Sequence, residues 1–197
     1  MDLDSPDSLD VVVNKQRPLD PIDHAPADLM TPAGLNNPSG EQVRPELDAP
    51  LRALTADARG QGLDLTLVSG YRSHEEQAAI YGQKQAERGT EQADSISARP
   101  GFSEHQTGLA VDLARPDGQC TLMPCFGETA EGRWLAENAW RHGFILRYPA
   151  DQTPIVGYAY EPWHFRYVGV ETATAMHDRG IATLEEYRGL TPAPSYI

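Results

Sequence analysis

Apolar residues recur along this chain at two spacings, and each spacing predicts a different element. Leu47, Leu51, Leu54 and Ala58 fall at helical spacing, predicting a helix over 41–59 that stops at Gly60. Leu63, Leu65 and Leu67 alternate within LDLTLVSG, predicting a strand over 63–70. The cleanest alternation is WHFRYV at 163–168, where Trp163, Phe165 and Tyr167 take one face and His164, Arg166 and Val168 the other. FILRY (144–148) predicts another strand, and HQTGLAVDLA (105–114) a turn followed by a short one. VVVN at 11–14 is the most strand-like piece of a proline-rich beginning.

Polar residues supply the punctuation. Ser73 with Glu76, and Thr183 with Glu186, have capping-box spacing and should each open a helix, the first running to about Arg88 before Gly89. Thr129 should cap another, with Trp134, Leu135 and Ala139 on its inner side and Gly143 past its end. A further helix is expected over 171–179, stopped by Gly180, whereas TEQADSISARPG (90–101) reads as a polar loop. Four or five strands and about five helices result, without a regular strand–helix–strand rhythm. The expected class is α+β, with a mainly antiparallel sheet. Residues 1–40 read as an extended arm laid on one domain formed by 41–197, since no linker rich in glycine or serine divides the chain.

Charge narrows the possibilities. Sixteen Lys and Arg against 29 Asp and Glu leave a net charge of −13. That balance argues against binding nucleic acid or anionic lipid, both of which need clustered cations. No apolar run approaches the ~20 residues that span a bilayer. The opening MDLDSPDSLD is acidic and unlike a secretory signal, so the protein is either cytosolic or its leader lies outside this sequence. Cys120 and Cys125 favour the extracytoplasmic reading: four residues between them let a small ring close, worth about 2 kcal/mol in chain entropy. Two free thiols in a reducing compartment are the alternative.

Two clusters carry candidate chemistry. One is Ser103-Glu104-His105-Gln106-Thr107-Gly108-Leu109-Ala110-Val111-Asp112; the other is Glu161-Pro162-Trp163-His164. Along a straight strand His105 and Asp112 would lie ~23 Å apart. They meet only if the chain doubles back, and Thr107-Gly108 is where it can, because glycine accepts positive φ. Pro162 disfavours helix at Glu161, so that residue should come from the loop before the strand and curve back toward His164. Two histidines and an aspartate form a three-ligand zinc set that leaves a position open. A neighbouring carboxylate, Glu161, would serve as general base, and Arg72, in SGYRS between a strand and a capped helix, would face developing negative charge. Taken singly, each residue has a plainer reading: a packed histidine, a solvated strand end, a loop acid, a surface ion pair. His24, His74, His142 and His177 read as structural or surface residues, with His74 near enough to Arg72 to edge a cleft.

SxHxxGxAxD followed some fifty residues later by ExxH resembles the zinc D-alanyl-D-alanine peptidases and their relatives, the LAS metallopeptidases. These include VanY-type D,D-carboxypeptidases, VanX-type dipeptidases, L-alanyl-D-glutamate endopeptidases and the hedgehog signalling domain. SGYRS, FSEHQTGLAVDL, GRWLAENAWRHGFILRYP and GYAYEPWHFRYVG look closest to the VanY type, and the likeness covers about residues 11–190. It implies a small antiparallel sheet with helices packed around it. It implies that His105, Asp112 and His164 hold Zn2+, that Glu161 is the base, and that Arg72 faces the scissile carbonyl or the terminal carboxylate. By the same resemblance Ser103 contacts substrate, Gln77 helps line the pocket, and Tyr160 and Trp163 look like its walls. The implied activity is removal of the terminal D-Ala from peptidoglycan stem peptides by an extracytoplasmic enzyme, expected to be a monomer and not inserted in a membrane. The alternatives are an L-alanyl-D-glutamate-type endopeptidase and a zinc-stabilised wall-binding module without turnover; the intact Glu161 stands against the module.

Overall fold

Four short strands form one antiparallel sheet in the order β1-β2-β4-β3 in the computed structural model, which describes all 197 residues. They are β1 (Thr66–Ser69), β2 (Ala110–Ala114), β3 (Phe144–Leu146) and β4 (His164–Tyr167). Seven α-helices pack around them: α1 (Asp48–Gly60), α2 (His74–Arg88), α3 (Thr90–Ile96), α4 (Ala130–Asn138), α5 (Thr153–Val156), α6 (Val170–Asp178) and α7 (Leu184–Arg188). The α+β expectation holds.

The alternation in the sequence becomes the two faces of this sheet. Leu67, Val111, Leu113, Phe144 and Phe165 enter the main core, where Leu47, Leu51, Leu54 and Ala58 of the first helical segment meet them. Each fully buried leucine contributes roughly 2 kcal/mol to this packing. The opposite face carries Asp112 on β2 directly across from His164 on β4. A bulge in β1 between Leu67 and Ser69 brings Ser69 opposite Asp112 as well. A second cluster, Val12, Ile145, Val168, Ala173, Met176 and Leu184, seats α6 and α7 against the β3 edge.

Local signals place most boundaries. Ser73 and Glu76 make both bonds of a capping box, and Gly89 ends α2 at φ +82°. Thr129 accepts from Gly132 N as the cap of α4. Thr183 caps α7 by accepting from Glu186 N, but the Glu186 carboxylate meets the Thr183 hydroxyl rather than its backbone, so the second box is only half closed. The helix expected from residue 41 begins later, at a 3-10 turn over Pro45–Leu47, because Val43 pairs with Met30 in an isolated bridge.

Two expectations are corrected. Residues 90–96, read as loop, form α3: Gly89 turns the chain, Ala93 is buried, and Tyr81 Oη donates to Asp94 at 2.7 Å, tying α3 to α2. The otherwise polar composition hides that single buried contact. VVVN at 11–14 is not a strand of the sheet. Val11, Val12 and Val13 are buried, yet the carbonyls of Val11 and Val12 accept from the guanidinium groups of Arg166 and Arg17 instead of a neighbouring strand. Residues 1–44 hold no helix or ladder strand and lie along the domain through bonds such as Asn14 to Glu185 and Lys15 to Gly157 O. Cys120 and Cys125 are joined in a disulfide, Cα to Cα 5.5 Å.

Candidate metal centre and its pocket

His105 sits in a 3-10 turn over Glu104–Thr107, and Gly108 at φ +69° reverses the chain into β2. The reversal brings His105 Nε2 to 3.3 Å from Asp112 Oδ2. The imidazole is fixed from behind. Its Nδ1 lies 2.7 Å from the Gly70 carbonyl, which can only accept, so Nδ1 carries the proton and Nε2 presents its lone pair forward. Gly70 is itself required there, because a Cβ would fall 2.2 Å from the Gln42 carbonyl oxygen.

His164 arrives from β4 with Nδ1 3.2 Å from Asp112 Oδ1. Its Nε2 lies 3.4 Å from Glu104 Oε2. One ligand-type atom from each of His105, Asp112 and His164 lies within 4.8 Å of the others, and all three side chains are buried. Asp112 Oδ1 has no hydrogen-bond partner although it is buried. Burial opposes charge on His164, yet the carboxylates of Asp112 and Glu104 outweigh it and push its pKa up to about 9. An orphaned carboxylate oxygen and an imidazole drawn toward protonation mark a place that asks for positive charge. Two nitrogens and one oxygen are the donor set of catalytic zinc, so these residues fit that ion.

Behind His164 lies a layer of charge that the sequence motifs did not reveal. Glu104 is fully buried and accepts from Arg147 Nε and Arg166 Nη1, both at 2.9 Å. Arg147 continues to Glu185 at 2.9 and 2.7 Å, and Asn14 reaches the same carboxylate. Burial pushes the Glu104 carboxyl up, but the two guanidinium charges outweigh it and hold it well below the usual carboxylate range. A carboxylate on the far nitrogen of a ligating histidine orients the ring and fixes which nitrogen faces the metal. In the sequence Arg147 and Arg166 belong only to strand patterns; they lie 43 and 62 residues from their shared partner Glu104, out of reach of any local pattern.

In front, the centre opens on a cavity of about 700 Å³. Glu161 comes from the turn before β4, as expected, with its carboxylate 3.8 Å from His164 Nδ1. Burial pushes its pKa up to about 7, and the Asp112 charge adds to the effect. Arg72 follows β1 and is held in place: it donates to Gln77 Oε1 and Ser69 Oγ, each at 2.9 Å, and stands 3.9 Å from Asp112. Gln77 lines the cavity but works as a strut, since its amide donates to Ala98 O at 2.7 Å while its oxygen holds Arg72. Ser103, Tyr160 and Trp163 also line the cavity. So do Lys84 and Arg88 of α2, which no sequence motif marks as site residues, and Leu122, Met123 and Pro124 of the disulfide ring. The other histidines stand apart: His142 pairs with Asp57 at 3.1 Å, His177 stacks on Trp140, His24 lies near Asp7, and His74 is not among the lining residues.

Residues 40–170 match the sequence profile of the family described as VanY: D-alanyl-D-alanine carboxypeptidase. A D-alanyl-D-alanine carboxypeptidase of Enterococcus faecalis is 40% identical over 158 residues, 76% of this chain; the match spans 56% of that relative's length. The LdcB LD-carboxypeptidase structure superposes with a TM-score of 0.86 at 38% identity, covering 94% of this chain and 88% of that one. A vancomycin-resistance D,D-pentapeptidase VanY variant in complex with Zn(II) superposes with a TM-score of 0.78 at 37% identity, covering 92% of this chain and 98% of that one. The fold of this chain therefore has counterparts in solved peptidases, one of them in complex with Zn(II).

Proposed function

The chain belongs to the VanY family of D-alanyl-D-alanine carboxypeptidases, and on that premise we propose that it is a zinc-dependent D,D-carboxypeptidase that removes the terminal D-Ala from peptidoglycan stem peptides. The observation that carries this reading is the three-residue donor cluster opening on a cavity with a non-ligating carboxylate, Glu161, at its edge. His105, Asp112 and His164 would hold the metal. When bound, zinc lowers the pKa of a water and polarises the scissile carbonyl.

The remaining work falls to the side chains. Glu161 takes the proton of the attacking water and delivers it to the leaving amine nitrogen, a task suited to a carboxyl poised near neutrality. Arg72, immobilised by Gln77 and Ser69, shares the charge that develops on the carbonyl oxygen. Ser103 contacts the substrate, and Tyr160 and Trp163 wall the pocket against bulk water. Residues 1–40 serve as an arm on a single catalytic domain spanning 41–197. The disulfide suits an extracytoplasmic location, where this substrate resides, and no helix is long and apolar enough to cross a membrane.

A stem pentapeptide incubated with the zinc-loaded protein should lose one D-Ala, cease to do so in chelator, and resume when zinc is restored. No release with zinc shown to be bound would overturn the proposal. The fit to LdcB favours a second reading, in which the bond cut is the L,D bond one residue earlier. A stem tetrapeptide separates the two: loss of D-Ala from the tetrapeptide alone supports the L,D reading, and loss from the pentapeptide alone supports the D,D reading.

A further inference from the structure

Most arginines of this acidic chain have a carboxylate within ion-pair distance, among them Arg72, Arg99, Arg115, Arg147 and Arg166. Lys84 and Arg88 have none; the polar contact of the Lys84 ammonium is the Ile96 carbonyl, at 3.4 Å. The two lie one turn apart on α2, and both line the catalytic cavity. Gln77, Ile80, Lys84 and Arg88 recur at helical spacing, so one stripe of α2 forms that wall. The stripe begins at Gln77, the residue that holds Arg72. At 1.5 Å per residue, Lys84 lies about 10 Å and Arg88 about 16 Å further along the helix axis. That distance corresponds to about three residues or more of extended peptide.

We propose that Lys84 and Arg88 form a second anion subsite of this pocket, which receives a side-chain carboxylate of the substrate on the amino-terminal side of the cleaved bond. The inference rests on the carboxypeptidase reading for its direction. After the cut bond such a substrate has a single residue, whose only carboxylate is the terminal one. A second carboxylate must therefore sit upstream, at a separation from the reacting end of the peptide that suits the offset of Lys84 and Arg88 from Gln77 along α2. In a protein of net charge −13, two cations lining the substrate cavity, Lys84 half-buried and Arg88 exposed, also supply the local attraction that the overall field opposes.

The test compares two peptides ending in D-Ala-D-Ala that differ only in whether the side chain of an upstream residue is a free carboxylate or its amide. The wild-type protein should prefer the acid by about tenfold in kcat/KM, the scale of one charge-assisted hydrogen bond. The preference should shrink as salt rises. Lys84→Met with Arg88→Met should bring the acid-to-amide ratio close to one, and Lys84→Glu should reverse it. No preference in the wild type, or a double variant that loses equally on both peptides, would overturn the subsite. Binding of the same peptides to zinc-loaded Glu161→Gln protein reads the ratio without turnover. A failure to cleave would therefore reject the carboxypeptidase reading and leave the subsite decided by binding.

Discussion

The layer behind His164 and the wall in front of it are both rich in charge, but they satisfy it differently. Behind, Glu104, Arg147, Arg166 and Glu185 satisfy one another at hydrogen-bond distance, and none reaches solvent. In front, Lys84 and Arg88 have no carboxylate at ion-pair distance, although the Glu161 charge acts on Lys84 from further off, and Leu122 and Met123 stay exposed at the rim. A closed network of buried ions is costly to disturb and holds geometry. An open wall costs little to alter and is free to meet a ligand. The contrast separates residues whose loss should damage the site from those whose loss should change only what it binds.

The largest effect should come from the residue between the two regions. Glu161→Gln should lower kcat by 10²–10⁴-fold, the range for removing a general base, while zinc content and melting temperature stay at wild-type values. Loss of zinc in that variant would place Glu161 among the ligands and blur the division. Glu104→Gln tests the rear layer. Removing one partner of a buried ion network costs about 3–5 kcal/mol, and the loosened imidazole should weaken zinc binding by 10–100-fold in a chelator competition. A variant that melts normally and keeps its zinc affinity would show that Glu104 does not fix His164.

Acid should find the rear layer as well. Glu104 and Glu185 are both held below the ordinary carboxylate range by arginine charge, against the opposing effect of burial. Groups depressed in the folded state contribute stability that is fully present above their unfolded pKa, about 4.3. That stability is lost as pH falls from there toward the folded values. Denaturant titrations of the wild type should therefore show stability dropping below about pH 4.3, with a shallower drop in Glu104→Gln. Equal slopes would mean that the network is not the acid-sensitive element.

The smallest effects belong to the rim of the cavity. Reducing Cys120–Cys125 frees a short ring and should cost about 2 kcal/mol at most, with a higher KM because Leu122, Met123 and Pro124 no longer hold one side of the cavity. Met123→Ala should raise KM a few-fold without moving the melting temperature, the signature of lost binding in the ground state. If kcat fell and KM held, the rim would be acting on the reaction itself.

These contrasts also explain what was legible in the chain. The front of the site could be read because its donors stand at short, meaningful spacings: His105 and Asp112 around a glycine reversal, Glu161 and His164 around a proline. Strand alternation likewise separated Phe165 from His164 and Arg166 correctly, since period two follows from the backbone alone. The rear layer was not legible, because a charged residue in a strand or next to a histidine looks solvated until its distant partners are known. The same lack of long-range information concealed α3, which contributes a single buried alanine. It also gave VVVN the look of a strand, although side-chain guanidinium groups satisfy the Val11 and Val12 carbonyls.

One anchor of the rear layer is Glu185, on the last helix, and the imidazole it indirectly steadies belongs to the last strand. During synthesis Arg147 emerges well before its bidentate partner. The cradle for the ion therefore cannot reach its final rigidity until nearly the whole polypeptide has been made, and a chain shortened by its final turn of helix would present every ligand yet lack the brace that aligns them.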